Sequence, residues 1–134
     1  MIGIYLFVKY NQNITELPPV TNAGKNQTVL RAFQKHLKGV QVSGVGSVIR
    51  VLPDDNRGNR HQRFILRLYS GHTLLIAHNI DVAHRIKLLK RGDVVRFYGE
   101  YEWNAKGGII HWTHDDSKGH HKNGWLKHNG EVYR

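Results

Sequence analysis

The sequence predicts an all-β protein with five main strands. Apolar and polar residues alternate with a period of two in most segments from residue 40 onward, as they do in half-buried strands. Glycine, asparagine and proline, which favour turns, separate these segments. The 134 residues are enough for one domain with a modest core, and the absence of cysteine excludes disulfides, thiolate zinc sites and cysteine nucleophiles.

The alternation assigns each strand an apolar and a polar face. In the segment HQRFILRLYS, Phe64, Leu66 and Leu68 share one face, while Arg63 and Arg67 share the other. Branched residues, aromatic residues and glycines dominate the other segments, which suits strands that bend strongly. The five strands are predicted at residues 44–52, 61–70, 72–80, 94–103 and 108–114.

Two helices are predicted beside these strands. Residues 28–39 place apolar side chains at helical spacing, and Gly39 is the expected end. Residues 80–91, between the third and fourth strands, show the same spacing, and Asn79 or Asp81 is the expected cap. The apolar positions are Val29, Leu30, Phe33 and Leu37 in the first helix, and Ile80, Ala83, Ile86 and Leu88 or Leu89 in the second.

Five strands with one helix between the third and the fourth are the layout of the five-stranded Greek-key barrel called the OB-fold. An open β-sandwich is the alternative architecture. The predicted organisation is an N-terminal apolar stretch and linker at 1–27, followed by a single OB-like barrel domain at 28–134. This domain includes the N-terminal helix and ends in a hairpin at 123–134, where Asn-Gly occurs twice. The sequence predicts no oligomeric state.

Three runs resemble a small bacterial family of uncharacterised OB-like domains: LPDDNRGNRHQRFILRL, LLIAHNIDVAHRI and GDVVRFYGEYEWNAKGGIIHWTH. The resemblance covers about residues 40–134, and HNID and GEYEWN are its most specific parts. Members typically begin with a hydrophobic export or anchor segment, so the resemblance implies a periplasmic location, but it implies no activity. The apolar run 2–8 is far shorter than the ~20 residues of a membrane span, so the sequence as written predicts a cytoplasmic protein without a transmembrane segment.

The charge of the chain favours a polyanion partner. Twenty Lys and Arg oppose ten Asp and Glu, which gives a formal net charge of +10. Arginines and tyrosines on the polar strand faces suit a single-stranded nucleic acid, because rings stack on bases while guanidinium groups meet phosphates. The sequence therefore predicts a module that binds polyanions, in particular single-stranded nucleic acid without sequence specificity; the alternative is an ordinary solvent-exposed face. The predicted contacts are Arg50, Arg63, Arg67, Tyr69, Arg96 and Tyr98.

The histidine-rich stretch IIHWTHDDSKGHH (109–121) suggests a divalent metal site, the only cofactor that the sequence predicts. His111 and His114 are three residues apart, so a regular strand points them to opposite faces. The predicted ligands are His114, Asp116 and either His120 or His121, beyond the end of the strand, where zinc, nickel or manganese would fit. The alternative is a solvated loop.

A metal-dependent phosphodiesterase or nuclease that uses the His/Asp loop is the enzymatic alternative, although binding without catalysis is the preferred prediction and no catalytic residue is assigned. A periplasmic module for a protein or small ligand is a third class. Asp54 and Asp55 have a simpler explanation as turn residues. The acid–base candidates are Asp54, Asp55, Glu100 and Glu102, with His61 or His114 as general base.

Several further residues are predicted to be structural. His78 is expected to be hydrogen-bonded at the end of a buried strand, and Asn79 to cap the chain that follows. Trp103, Trp112 and Trp125 are expected to form a core cluster that closes one end of the barrel.

Overall fold

The computed structural model describes residues 26–134, so the predicted N-terminal stretch and linker at 1–27, with any export segment, lies almost wholly outside the described residues. No helix within 26–134 has the length and apolar character needed to cross a membrane. The elements are one helix, α1 (Gln27–Gln34), and seven strands: β1 (Lys38–Asp55), β2 (His61–Leu68), β3 (Thr73–Asn79), β4 (Val94–Glu102), β5 (Ile109–His111), β6 (Trp125–His128) and β7 (Glu131–Tyr133).

The seven strands form one sheet in the order β1-β2-β3-β5-β4-β6-β7, and β1 also pairs with β4. Five strands therefore close into a ring, and β6 and β7 extend the sheet beyond it. Pairing is antiparallel throughout, except that β3 and β5 run parallel. The described chain is mostly β, as predicted, and the five predicted strands correspond to β1–β5, with β1 longer and β5 shorter than expected.

Strand β1 closes the ring because it pairs along both of its edges. Its first half pairs with β4, its second half pairs with β2, and Gly46 and Ser47 pair with both. Side chains would obstruct this bend. A Cβ atom at Gly44 would lie 2.5 Å from the ring of Phe97, and one at Gly46 would lie 2.8 Å from the carbonyl oxygen of Arg67. Glycine thus provides the space that the bend requires.

The core fills the inside of the ring, and the predicted alternation is confirmed. Apolar side chains at every second position of β2 and β4 are buried, and the residues between them are partly or fully exposed. Helix α1 covers one end with Val29 and Ala32. The buried apolar residues of the ring are Val42, Val45, Val48, Phe64, Leu66, Leu68, Leu74, Ile76, Val95, Phe97, Tyr101 and Ile110, and Leu126 of β6 belongs to the same core.

The predicted N-terminal helix is present but ends at Gln34, well before Gly39. His36 adopts a left-handed backbone with φ 54°, and the amide of Leu37 donates to the carbonyl of Ala32 at 2.9 Å. This is the Schellman pattern, which satisfies the last carbonyls of a helix. A histidine takes the place that glycine usually holds, which is why the sequence signal pointed to a later end.

The predicted helix between the third and fourth strands is wrong. Residues 80–93 form turns, and of the apolar residues that were to make its buried face only Ile86 is fully buried. Leu88, at φ 56°, is 92% exposed. The segment therefore covers the sheet through one anchor rather than through an apolar face.

Side chains of the neighbouring strands supply the hydrogen bonds that a helix would have made internally. The Gln62 amide donates to the carbonyl of Ile86 at 3.0 Å and accepts from its N–H at 2.9 Å. Asp81 accepts from the backbone N–H and the guanidinium of Arg60, both at 2.8 Å. Asn79 accepts from the amide of Asp81, so it organises a turn and not a helix cap. Because Gln62 satisfies both backbone groups of Ile86, the fully buried residue of these turns does not need the hydrogen bonds of a helix.

At the C-terminal end of the chain, β6 and β7 pair as a hairpin. Asn129 and Gly130 join these strands with positive φ angles of 50° and 80°, as a type I′ hairpin turn requires. The predicted tryptophan core cluster is wrong, since all three rings are only partly buried. Trp103 packs against the edge of the core, Trp125 lies on the outer side of β6 beside Tyr98, and Trp112 stacks on His121.

His78 is hydrogen-bonded, as predicted, and is fully buried. Its Nε2 donates to the carbonyl of His84 at 2.9 Å, so its Nδ1 accepts from the hydroxyl of Thr113 at 2.7 Å. Burial lowers the pKa of His78 from 6.5 to about 4. The folded protein therefore holds a neutral imidazole that ties β3 to the turns at 80–93 and to the chain after β5.

This burial makes stability depend on pH. Below pH 6.5 the unfolded chain binds a proton at His78 that the folded chain does not accept until the pH falls to about 4. Because of this group, we expect the free energy of unfolding to be about 2 kcal/mol lower at pH 5 than at pH 8. Urea denaturation of the wild type and of His78→Gln at both pH values measures this difference, and the variant should lose it. A His78 imidazole that titrates near 6.5 by NMR would contradict the expectation.

Candidate functional site

The six residues predicted to contact nucleic acid all lie on, or directly next to, the outer side of the sheet. We call Arg50, Arg63, Arg67, Tyr69, Arg96 and Tyr98 the basic face. Arg50 belongs to β1, Arg63 and Arg67 to β2, and Arg96 and Tyr98 to β4, while Tyr69 directly follows β2. Their neighbours in sequence on β2 and β4 point into the core, so strand alternation fixes the orientation of these residues.

The first part of the basic face lies on β1 and β2. Arg50 is paired with Ile65, and Arg63 and Arg67 lie two residues to either side of Ile65, which places the three arginines next to one another. The guanidinium of Arg63 donates to the carbonyl of Pro53 at 3.0 and 2.9 Å, so this side chain is held at the base of the β1–β2 loop. Arg50 and Arg67 are exposed.

The second part lies on β4. Two residues of the neighbouring strand β6, Trp125 and Lys127, lie beside it, and neither was predicted to do so. Arg96 pairs with Lys127 and Tyr98 pairs with Trp125 across β4 and β6. The rings of Tyr98 and Trp125 are 6.1 Å apart. Alternation within Trp125–His128, where Leu126 and His128 are buried, would have indicated the outward direction, but only the structure places β6 beside β4.

Two shallow pockets mark the basic face. One, of about 280 Å³, is lined by Ser47, Arg67, Tyr69 and Val94 among others, and the second, of about 330 Å³, by Arg96, Tyr98 and Trp125 with Ser43. No carboxylate lines either pocket. Asp93, which precedes Val94 in the sequence, is bound by His128 and Lys90, which lower its pKa to about 2. Arg50, Arg67 and Arg96 form no ion pair within residues 26–134, so their charge is available to a ligand.

The predicted metal ligands His114, Asp116 and His120 do not converge. His114 is buried, with Nδ1 2.9 Å from the carbonyl of Asp115, whereas His120 is exposed. The carboxylate of Asp116 accepts backbone N–H groups from Lys118, His120 and His121 at 3.0, 2.8 and 2.8 Å. These bonds, that from Lys118 foremost, lower the pKa of Asp116. Asp116 therefore organises its loop.

A different group gathers donor atoms that suit a metal. Glu100, Glu102 and His111 bring ligand atoms within 4.8 Å of one another, and within the described part of the chain no other set of three does so. Glu100 and His111 are direct partners across β4 and β5. His121 adjoins them, with Nε2 2.5 Å from an oxygen of Glu100. The sequence indicated both glutamates as acid–base candidates, and His111 was considered only together with His114, since strand register cannot be read from alternation alone.

The proposed acid–base carboxylates are separated. Asp54 pairs with Arg85, and Asp55 accepts from the amide and the guanidinium of Arg57, which lower its pKa. Neither belongs to the group with Glu100 and Glu102. The two candidate bases, His61 and His114, instead line a cavity of about 640 Å³.

The fold and the site together define a mostly β protein with a ring of five strands and a basic outer face. Residues 12–134 match the family described as "Protein of unknown function (DUF3465)", and the chain belongs to this family. The expectation of an uncharacterised family is thereby confirmed. A search of the curated proteins gives no match to this chain.

The role assigned to Asp116 predicts a local effect. Asp116→Ala removes the acceptor for three backbone amides, so hydrogen exchange at Lys118, His120 and His121 should become about tenfold faster or more, because these amides lose their protection against local opening. Exchange in the core strand β2 should not change. Amide exchange measured by NMR tests both expectations.

Asp115→Ala is the matched control, since a 3.8 Å ion pair with Arg134 is the only contact of this kind that the Asp115 carboxylate makes within residues 26–134. It should leave exchange in the loop unchanged. Equal acceleration in both variants would show that the Asp116 carboxylate does not organise the loop.

Proposed function

We propose that this chain is an OB-like β-barrel module that binds single-stranded nucleic acid without sequence specificity through the basic face. The strand order supports the barrel. A ring of β1-β2-β3-β5-β4 closed by β1–β4 pairing, with a parallel β3–β5 pair, has the connections of the five-stranded Greek-key barrel. Such barrels bind oligonucleotides on their outer strands.

The observation that carries the proposal is the convergence of accessible rings and of arginines that form no ion pair within residues 26–134. Arg67 and Tyr69 line one shallow pocket, and Arg96 and Tyr98 line the other with Trp125. Tyr69 is 69% exposed, so its ring is accessible to a base. Lys127 adds a further cation beside Arg96.

The chemistry of this face fits a flexible strand. Guanidinium groups bind phosphate oxygens wherever the backbone passes, and every base offers a π-face to a tyrosine or tryptophan. Sequence-specific reading requires donors and acceptors directed at base edges, and the two pockets present chiefly apolar surface, guanidinium and ring. Binding should therefore tolerate any sequence and weaken with salt.

The enzymatic alternative based on the His/Asp loop is less well supported, because Asp116 accepts three backbone N–H groups and His120 lies apart from His114. The third class, a binding module for a protein or a small ligand, is also less well supported, because it does not account for the arginines of the basic face.

Removal of charge from the basic face should weaken binding in a salt-dependent way. For Arg67→Ala/Arg96→Ala we expect at least about tenfold weaker binding to a labelled oligothymidylate at low salt. The slope of log K against log salt should fall by about 1.4, because each lost contact to a single strand removes about 0.7. Fluorescence anisotropy at several salt concentrations measures both quantities.

Lys35→Ala/Lys118→Ala is the charge-matched control, since both lysines are exposed and lie off the basic face. It should retain most of the affinity. Tyr69→Ala should weaken binding about fivefold or more through lost stacking. Absence of binding by the wild type, or an equal loss in the lysine control, would refute the proposal; equal affinity for double-stranded DNA or heparin would show a general polyanion site.

A further inference from the structure

We infer that Glu100, Glu102 and His111 bind one divalent transition-metal ion of the zinc class. This inference goes beyond nucleic-acid binding and rests on residues outside the basic face. The three side chains project from the outer side of two neighbouring strands, β4 and β5, and the buried Tyr101 lies between the glutamates on the inner side.

The distances suit a shared ion better than hydrogen bonds. Nε2 of His111 lies 3.4 Å from an oxygen of Glu100 and 3.7 Å from an oxygen of Glu102. A hydrogen bond between these groups would bring them to about 2.8 Å. Ligands that bind zinc tetrahedrally at 2.0–2.1 Å lie about 3.4 Å from one another, close to the observed values.

His111 also has an unused donor atom. Its Nε2 is buried and forms no hydrogen bond within the described residues, although the ring is partly exposed. A buried polar nitrogen without a partner is costly in a folded protein. Together with the carboxylates of Glu100 and Glu102, this nitrogen forms a ligand set of one imidazole and two oxygens.

Neighbouring groups hold the ligands in place. The ring of His121 lies between Glu100 and the Lys122 carbonyl, with Nε2 2.5 Å from Glu100 and Nδ1 2.8 Å from the carbonyl oxygen, and it stacks on Trp112 at 3.8 Å. Because both ring nitrogens face oxygen acceptors, His121 orients Glu100 and is not itself a ligand. The amide of Gly39 donates to Glu102 at 3.0 Å. Such outer partners fix the direction of metal ligands.

The donor set selects the class of ion. An imidazole nitrogen with carboxylate oxygens suits zinc, manganese, iron or nickel, whereas calcium and magnesium prefer oxygen alone. Three protein ligands leave one tetrahedral position for water or for an oxygen of an anionic ligand.

Titration calorimetry of zinc chloride into the full-length, untagged, metal-free chain tests the inference. We expect one zinc ion per chain in the wild type, and visible absorption typical of low-coordinate Co²⁺ when cobalt replaces zinc. His111→Asn and Glu102→Gln should each weaken binding at least about tenfold, and His121→Ala by about tenfold to a hundredfold. Glu102→Gln keeps an oxygen acceptor for the amide of Gly39, so we expect it to fold. It therefore tests the inference even if His111→Asn does not fold.

His120→Asn is the matched control, because His120 is exposed in the same histidine-rich loop and is not one of the ligands. It should bind zinc as the wild type does. The inference is overturned if the wild type does not bind zinc, if Glu102→Gln binds it unchanged, or if His120→Asn loses as much affinity as Glu102→Gln.

Discussion

Simultaneous pairing of β1 with β2 and β4 is the constraint on which the rest of the structure depends. Because one strand of 18 residues serves two neighbours, the sheet closes and its inner side becomes the core. At the crossing, Gly46 pairs with Leu68 on one side and with Val95 on the other, and a Cβ atom there would lie 2.8 Å from the carbonyl oxygen of Arg67 and 3.1 Å from the side chain of Leu68. The absence of a side chain at Gly46 is thus as necessary for the fold as the apolar residues around it.

The closed ring divides the outer side of β4 into two chemically different halves. Residues 95–98 pair with β6, which brings Trp125 and Lys127 beside Arg96 and Tyr98. Residues 100–102 pair with β5, which brings His111 beside Glu100. The chain between β5 and β6 must turn away sharply at this division. A Cβ atom at Gly124 would lie 2.2 Å from the carbonyl of Trp112, so glycine permits that passage.

Alternation predicted what depends on a strand's own residues. The buried set of β2 and the outward direction of Arg63, Arg67, Arg96 and Tyr98 follow from a period of two, and the structure agrees with both. Which residues of two strands face each other depends on the register of the strands, and the register depends on the closed ring. The sequence therefore did not predict that His111 lies beside Glu100 or that Trp125 lies beside Tyr98. The helix predicted at 80–91 is absent for a related reason: Gln62, which is distant in sequence, satisfies the backbone groups of Ile86 that a helix would have satisfied locally.

The two halves of β4 also affect each other. Outward residues Tyr98 and Glu100 are two positions apart, about 7 Å along a strand. A nucleic-acid strand stacked on Tyr98 would place phosphates within reach of Glu100 and Glu102, and two carboxylates without a counterion would repel them at that distance. A divalent ion bound by Glu100, Glu102 and His111 would neutralise both carboxylates and so remove this repulsion from the part of β4 that adjoins the basic face. If both proposals hold, the acidic pair beside the basic face does not oppose a nucleic-acid strand, because the bound metal ion would be an electrostatic part of the binding surface.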